Sequence, residues 1–305
     1  MSLPMLFRTV TTQLLKGRHV HTACQLLAVE KSLLMKLRKS TGYTFINCKK
    51  ALEKFDNDIN QAESWLNQQA QKEGWSKANK LEGRRAKDGL VGVFVGEEAA
   101  VMVEVNCETD FVARNEKFQE LVRDVVSATL AHHRGNSQGK TGYVKSPGGR
   151  DMSTLRVGEA GSLADQVALT IGQSPPSPAD WGENMSVRRA VMLGVPAGWH
   201  IGSYVHGGVG GPGDTALGRY GALVVFKGGK EESRELLGRK LGQHVVGEAP
   251  TTLGNMEDLP CGDSETRLLP QTFLPDPSRT VAQFLLGQEA RVLDFVRFQC
   301  GEAAE

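Results

Sequence analysis

The sequence has 305 residues, 40% of them hydrophobic and 23% charged, which is enough apolar material for about two ordinary domains. Its 36 basic and 35 acidic residues nearly cancel, and prolines and glycines interrupt the longest uncharged run, residues 190–213, which excludes a continuous apolar membrane span. The five cysteines form no C-x-x-C pair, which argues against a disulfide framework and against a cysteine zinc site.

The first 29 residues have the composition of a targeting segment. They contain no acidic residue, and basic and hydroxyl side chains are interspersed among the apolar ones. A helix would place on one face Leu3, Leu6, Phe7, Val10 and Leu14. This pattern is typical of a mitochondrial transit peptide, whereas a secretory signal would have a continuous apolar core. We therefore predict a transit peptide over residues 1–29 and a location in the mitochondrial matrix; a disordered tail is the alternative.

Residues 30–71 have the pattern of three short helices. Asn47 is positioned to cap the second helix, and Asp58 followed by Gln61 is a capping-box signal for the third. The apolar stripe of the first helix is formed by Leu33, Leu34 and Leu37. The inner face of the third is formed by Ile59, Ala62, Trp65 and Leu66. Residues 72–88 are rich in lysine and arginine, which predicts a linker or an exposed helix.

An antiparallel hairpin and a helix are predicted next. Residues 90–95 and 101–106 are strand-like, with a turn at residues 96–98. Residues 115–133 follow with helical periodicity. The buried face of that helix is predicted to contain Phe118, Leu121, Val122, Val125 and Val126.

The same order of elements returns further along the chain. Residues 187–205 and 220–226 are strand-like, and residues 232–246 have a helical pattern. The inward face of this second helix is predicted to contain Leu236, Leu237, Leu241, His244 and Val245. A short helix near residues 280–286 and a strand over residues 292–300 end the predicted elements.

These patterns predict the α+β class, with antiparallel sheets packed against helices. The predicted core has one subdomain over residues 89–199, which includes Gly/Ser- and Pro-rich loops, and a second over residues 200–287. Residues 288–305 are predicted to form a C-terminal strand and tail.

Motifs for catalysis, metals and nucleotides are not convincing in this sequence. Gly208, Gly210 and Gly213 match G-x-G-x-x-G, but Pro212 lies inside the motif and the segment joins two strands instead of opening a helix. No phosphate-loop motif and no metal-binding histidine spacing is present. Cys107 has no histidine near it in sequence, so a buried thiol is favoured over a nucleophile. We therefore predict no enzyme activity, cofactor, metal or direct nucleotide binding.

One cluster is unusual for a strand-to-helix connection. Thr109, Asp110, Phe111 and Val112 directly follow the hairpin. In one interpretation Phe111 covers the core and Asp110 is a helix N-cap. In the other, both side chains are exposed and contact a partner. The residues alone leave both open.

Several segments, in order, resemble the elongation factor Ts family. Residues 34–52 are similar to the opening of that family, and residues 103–112, VEVNCETDFV, resemble its most diagnostic segment. Further similarities occur at residues 182–185 with Arg188 and Arg189, at residues 202–207, and at residues 295–298 with 301–302.

The resemblance implies a guanine-nucleotide exchange factor for the GTPase elongation factor Tu, acting in translation elongation through a 1:1 complex. It implies a ubiquitin-associated-like (UBA-like) three-helix module and a two-subdomain core. In that family the pair equivalent to Asp110 and Phe111 enters the GTPase near its magnesium and phosphate site. The partner-binding residues implied by position are Arg38, Phe45, Ile46, Lys49, Thr109, Asp110, Phe111, Val112, Trp181, Gly182, Glu183, Asn184 and His206.

Two departures from the family pattern occur. Residues 173–180 look like an insertion, and Trp181 stands where a smaller aliphatic residue is usual. The connection after residue 246 is too short for the coiled-coil protrusion of bacterial relatives, which resembles the mitochondrial branch. Two alternative functions remain: an RNA-binding protein, suggested by the basic first third, and a ubiquitin-type adaptor. We expect no membrane partner and no nucleic-acid partner.

Overall fold

The computed structural model describes residues 31–41, 43, 45–81, 84–136, 142–147, 162, 164–167, 183–209 and 213–302. The predicted leader, the residues 173–180 and the predicted site residues Trp181 and Gly182 lie outside this part of the chain. The chain divides into two compact units, Met1–Leu66 and Asn67–Glu305. No helix in the described ranges is long and apolar enough to cross a membrane.

The first unit contains the predicted helices. They are α1 (Lys31–Thr41), α2 (Phe45–Lys54) and the beginning of α3 (Ile59–Leu81). Their buried apolar side chains are Leu34, Leu37, Cys48, Ala51, Leu52, Ala62 and Leu66. Helix α3 continues to Leu81, through the position where the module was predicted to end, because no proline or glycine pair interrupts it there.

Local capping signals were partly correct. Asp58 accepts hydrogen bonds from the backbone N–H and the side-chain amide of Gln61, both at 3.0 Å, which confirms the predicted start of α3. The capping role predicted for Asn47 is wrong. This residue lies two positions inside α2, which begins at Phe45, and an N-cap residue must precede the first helical residue.

In the described residues after the end of α3, the second unit contains two antiparallel sheets and four α-helices. Its elements are β1 (Asp88–Val95), β2 (Ala99–Cys107), α4 (Asp110–Ala113), α5 (Glu116–Asn136), β3 (Val144–Pro147), β4 (Ser186–Gly194), β5 (Trp199–His206), β6 (Ala216–Gly218), β7 (Tyr220–Gly228), α6 (Arg234–Glu248), α7 (Val281–Gly287) and β8 (Ala290–Gln299). The first sheet has the order β3-β4-β2-β1-β6 and the second β5-β7-β8. The mixed helix and antiparallel sheet content is that of the predicted α+β class.

The two sheets face each other, and helices cover their outer faces. Alternation along β1 directs Leu90 toward α5 and Val91 toward the second sheet. Gly92 lets α5 approach closely, since a Cβ there would lie 2.8 Å from Val122 Cγ1. On the second sheet, α6 and α7 pack against Val224 and Phe226. The core is therefore formed in three apolar layers between four layers of secondary structure.

The predicted helix faces can be compared directly with burial. All five residues predicted for the inner face of α5 are buried. On α6 the prediction that Leu236 faces inward is wrong, because this residue is 54% exposed. The inward stripe consists of Leu237, Leu241, His244 and Val245. Leu236 precedes this stripe by one residue, which rotates it about 100° toward solvent.

Sheet membership crosses the predicted domain limits. Strand β6, from residues 200–287, pairs with β1 of the first sheet. Strand β8, from residues 288–305, pairs with β7 and forms an edge of the second sheet. The subdomain limits at residues 199 and 287 remain a prediction. Strand pairing does not follow these limits, because β6 and β8 pair with strands that are assigned to other segments.

Candidate partner-binding site

The junction between β2 and α5 forms a short exposed turn, residues 109–112, which we call the TDFV turn. Thr109 has extended backbone (φ −130°, ψ 153°), and its hydroxyl accepts a 3.4 Å hydrogen bond from Val112 N. Thr109 is therefore the N-cap of α4, and the interpretation of Asp110 as the N-cap is wrong. The interpretation of Phe111 as a cover on the core is also wrong, since Phe111 retains 67% of its exposure.

The TDFV turn is fixed to the core on its C-terminal side. Ala113 is buried and Val112 packs against the apolar cluster beneath α5. Asp110 forms a 2.8 Å ion pair with Arg114, one helical turn later, in which both side chains are largely exposed. The result is an aromatic ring and a carboxylate held side by side at the protein surface.

Glu183 holds the N-terminal side of the turn. Its carboxylate accepts hydrogen bonds from Thr109 N at 3.0 Å and from the Thr109 hydroxyl at 2.7 Å. Only 8% of Glu183 is exposed. Glu183 was predicted as a partner-binding residue, and in the structure its carboxylate binds Thr109 of its own chain.

Glu108 and Asn184 make a second contact across the same junction. Glu108 Oε1 accepts from Asn184 N at 2.8 Å, and Glu108 Oε2 pairs with Arg84 at 2.8 Å. The Asn184 side-chain amide donates to Arg84 O at 2.9 Å. Residues 108–109 and residues 183–184 are thus joined in both directions, because each segment donates hydrogen bonds to a carboxylate of the other.

Cys107 lies directly beneath the turn. It is completely buried, and its thiol donates to Thr109 O at 3.1 Å. Burial first, and the nearby Glu183 carboxylate second, raise the pKa of this thiol. A protonated buried thiol is a poor nucleophile, which agrees with the predicted structural role.

An ionic network supports β2 from the other side, and the sequence analysis did not identify it. Glu104 is completely buried and accepts from Arg189 Nε at 2.6 Å, Asn106 Nδ2 at 3.0 Å and Gly301 N at 2.8 Å. Glu302 pairs with Arg189 at 3.4 Å. A single acidic residue within a largely apolar strand was the available signal.

The same network includes two further arginines. Arg188 donates to Glu302 O, and Arg297 pairs with Glu302 Oε1 at 3.0 Å. The C-terminal residues that resemble the family are thereby bound to the strand that precedes the TDFV turn. Glycine is required at Gly301, where φ is +78° and a Cβ would lie 2.1 Å from Lys87 O.

The first unit has its own exposed apolar surface. Phe45 and Ile46, at the start of α2, are 48% and 65% exposed. Arg38 on α1 and Lys49 on α2 are also exposed. Met35, at 55%, is also exposed and was not predicted. Such side chains on short helices have the chemistry of a contact surface.

His206 lies at the end of β5 and is exposed. Its Nδ1 is 3.3 Å from the Tyr204 hydroxyl, and its ring centroid is 6.0 Å from that of Tyr220. Among the described residues no group of three or more histidines, cysteines or carboxylates could hold a metal ion.

The described residues form a fold of the α+β class in which a braced turn presents a ring and a carboxylate at the surface. Two family models match the chain: "Elongation factor Ts, mitochondrial, N-terminal" over residues 17–76 and "Elongation factor TS" over residues 108–261. Several relatives carry the name "Elongation factor Ts, mitochondrial". The relative from Salmo salar is 70% identical over 310 residues, which cover 99% of this chain and 98% of the relative.

The relative from Rattus norvegicus is 50% identical over 284 residues, covering 91% of this chain and 86% of the relative. The relative from Homo sapiens is 48% identical over 284 residues, covering 91% and 85%. This chain belongs to the elongation factor Ts family. Its predicted mitochondrial location is confirmed, and it is an exchange factor rather than an enzyme.

Proposed function

We propose that this protein is the guanine-nucleotide exchange factor for mitochondrial elongation factor Tu and promotes GDP release during translation elongation. Family membership supports the activity. The observation that carries the mechanism is the exposure of Phe111 beside Asp110 on a braced turn. Inserted near the magnesium and phosphate site of the GTPase, these two side chains would make nucleotide and factor exclude each other.

The activity requires differential binding and no covalent chemistry. A factor accelerates release only by binding the nucleotide-free GTPase more tightly than the loaded one. A release rate increased by about 10⁴-fold corresponds to about 5.5 kcal/mol of such preference. Because coupling is reciprocal, GDP or GTP weakens the complex by the same free energy and thereby frees the factor.

Phe111 and Asp110 contribute in different ways. Burial of the exposed ring in the partner supplies roughly 1.5–3 kcal/mol toward displacing elements of the GTPase. Asp110 competes with the groups that bind Mg²⁺ and phosphate. Its pairing with Arg114 is exposed on both sides, and such pairs contribute only about 0–1 kcal/mol, so Asp110 exchanges partners at little cost.

The other predicted contacts provide affinity. In this proposal the first unit is a UBA-like module whose Arg38, Phe45, Ile46 and Lys49 bind the GTPase, supported by the exposure of Phe45 and Ile46. His206 extends the contact from the second sheet. By their resemblance to the family, Trp181 and Gly182 also take part in binding, and the complex contains one copy of each protein.

The test is the rate of labelled GDP release from elongation factor Tu in stopped flow. Phe111→Ala removes the ring from the surface and should slow the factor-promoted rate by at least about tenfold, as expected for the loss of about 1.4 kcal/mol or more. Leu259→Ala is the matched control, because Leu259 is an exposed apolar residue at 82% outside the proposed surface. An unchanged rate with Phe111→Ala would refute the insertion mechanism.

A further inference from the structure

We infer that Glu183 and Glu108 form a reciprocal carboxylate clamp that preorganises the TDFV turn, so that Glu183 is a positioning residue for exchange instead of a contact residue. The inference rests on the function proposed above, and it explains which contacts hold the turn that presents Phe111. Glu183 holds Thr109, while Glu108 holds Asn184.

The turn needs such a device because it is too short to be stable alone. Helix α4 contains 4 residues, and a single helical turn fixes several backbone dihedrals for very few hydrogen bonds. Phe111 adds no compensating burial, since 67% of it is exposed. The conformation must therefore be imposed from outside the turn.

Two attachments on either side of Phe111 impose it. On the C-terminal side, Val112 and Ala113 pack into the apolar cluster beneath α5. On the N-terminal side the contact is polar: both Thr109 donors bind one nearly buried carboxylate at 3.0 and 2.7 Å. Hydrogen bonds to an ionised acceptor are about twice as strong as neutral ones. Loss of Glu183 would free one end of the turn and leave the other attached.

The second half of the clamp fixes the position of Glu183 itself. Asn184, its neighbour, is held through its backbone N–H by Glu108 at 2.8 Å and through its side chain by Arg84 O at 2.9 Å. Arg84 also pairs with Glu108. Two sequence segments separated by 74 residues are thus joined by interlocking contacts, and a preorganised turn loses less conformational entropy on binding.

The first measurement uses the free protein. Amide hydrogen exchange should show faster exchange at residues 109–114 in Glu183→Ala than in the wild type, because the Thr109 N–H loses its acceptor and the turn opens more often. Glu97→Ala is the matched control, since Glu97 is exposed at the opposite end of the β1–β2 hairpin. Unchanged protection in Glu183→Ala would overturn the inference whatever the exchange mechanism is.

The second measurement uses the factor-promoted GDP release rate in a double-mutant cycle. We expect Glu183→Ala to lower the maximal rate by roughly tenfold and Glu183→Gln, which retains a neutral acceptor, by roughly threefold. In a Phe111→Ala background, Glu183→Ala should have no further effect, because the clamp acts through the ring. An equal loss in both backgrounds would show a general structural role and overturn the inference.

A variant pair covers the case in which Glu183→Ala does not fold. Thr109→Val removes the hydroxyl that donates to Glu183 and accepts from Val112 N, whereas Thr109→Ser retains both hydrogen bonds. Only the valine variant should lose the rate. The outcomes also separate the two proposals. A normal rate with Phe111→Ala refutes the insertion mechanism, while a slowed rate with Phe111→Ala and normal rates with Glu183→Ala and Thr109→Val refute the clamp alone.

Discussion

The buried carboxylate of Glu104 gives a stability prediction that can be worked out from the structure. Glu104→Gln keeps the side-chain volume, so no cavity term arises, but it removes the negative charge that faces Arg189 Nε at 2.6 Å. Glu104 is 0% exposed. Removing one partner from a fully buried ion pair costs about 3–5 kcal/mol. Arg189 is 30% exposed and is still partly compensated by Glu302 at 3.4 Å, so we expect a smaller cost of about 1–3 kcal/mol, as for a buried polar group that loses its partner.

Each kcal/mol lowers Tm by about 2–4 °C in a domain of 150–250 residues, so Tm should fall by about 2–12 °C. The measurement is thermal unfolding followed by circular dichroism at neutral pH. Glu97→Gln makes the same chemical change at an exposed position and should shift the free energy of unfolding by less than about 0.5 kcal/mol.

A second variant separates the loss of charge from the loss of packing. Replacing the pair together, as Glu104→Leu with Arg189→Met, should cost less than Glu104→Gln alone, because no unpaired charge remains and Met can retain the contact that Arg189 makes with the Phe298 ring at 4.2 Å. A fall in Tm of less than about 2 °C with Glu104→Gln would refute the reasoning that the network stabilises β2.

Two further predictions concern the second sheet. Burial lowers the pKa of His244 from 6.5 to about 4, so between these pH values the unfolded chain binds a proton that the folded chain does not. Stability on the order of 3 kcal/mol is therefore present above pH 6.5 and lost as the pH falls toward 4. Denaturant titrations should show a smaller loss of stability in His244→Gln over this pH range. Gly202→Ala should destabilise the protein by roughly 1–3 kcal/mol or more, because its Cβ would lie 2.3 Å from Gly238 Cα in the facing helix, whereas Gly142→Ala, with nothing within 4 Å, should leave the unfolding transition unchanged.

The accuracy of the sequence analysis depended on the range of the interaction involved. The five residues predicted for the inner face of α5 are buried, and the start of α3 carries the expected capping pair, Asp58 with Gln61. These features depend on residues three or four positions apart, so their periodicity is visible in the sequence. Asn47 failed as a cap because the helix began earlier than its polarity indicated.

The candidate site was predicted in the same uneven way. The TDFV turn stood out because a ring and a carboxylate follow a strand end, and the resemblance to a family supplied its meaning. Whether Phe111 was exposed or buried could not be read from the residues. Glu183 was predicted as a partner-binding residue, and its contact with Thr109 within the same chain was not foreseen.

By itself, the sequence determined most of the helices and strands in their order, the α+β class, the membership in a family and the location of the distinctive turn, because local periodicity and short motifs encode them. The short strands β3 and β6 were not predicted. Tertiary structure decided which strands share a sheet, how Phe111 is presented, and which carboxylates are buried. The Thr109–Glu183 and Glu104–Arg189 contacts join residues 74 and 85 positions apart. Such pairs form only when the whole chain has folded, since their burial is favourable only with both partners in place.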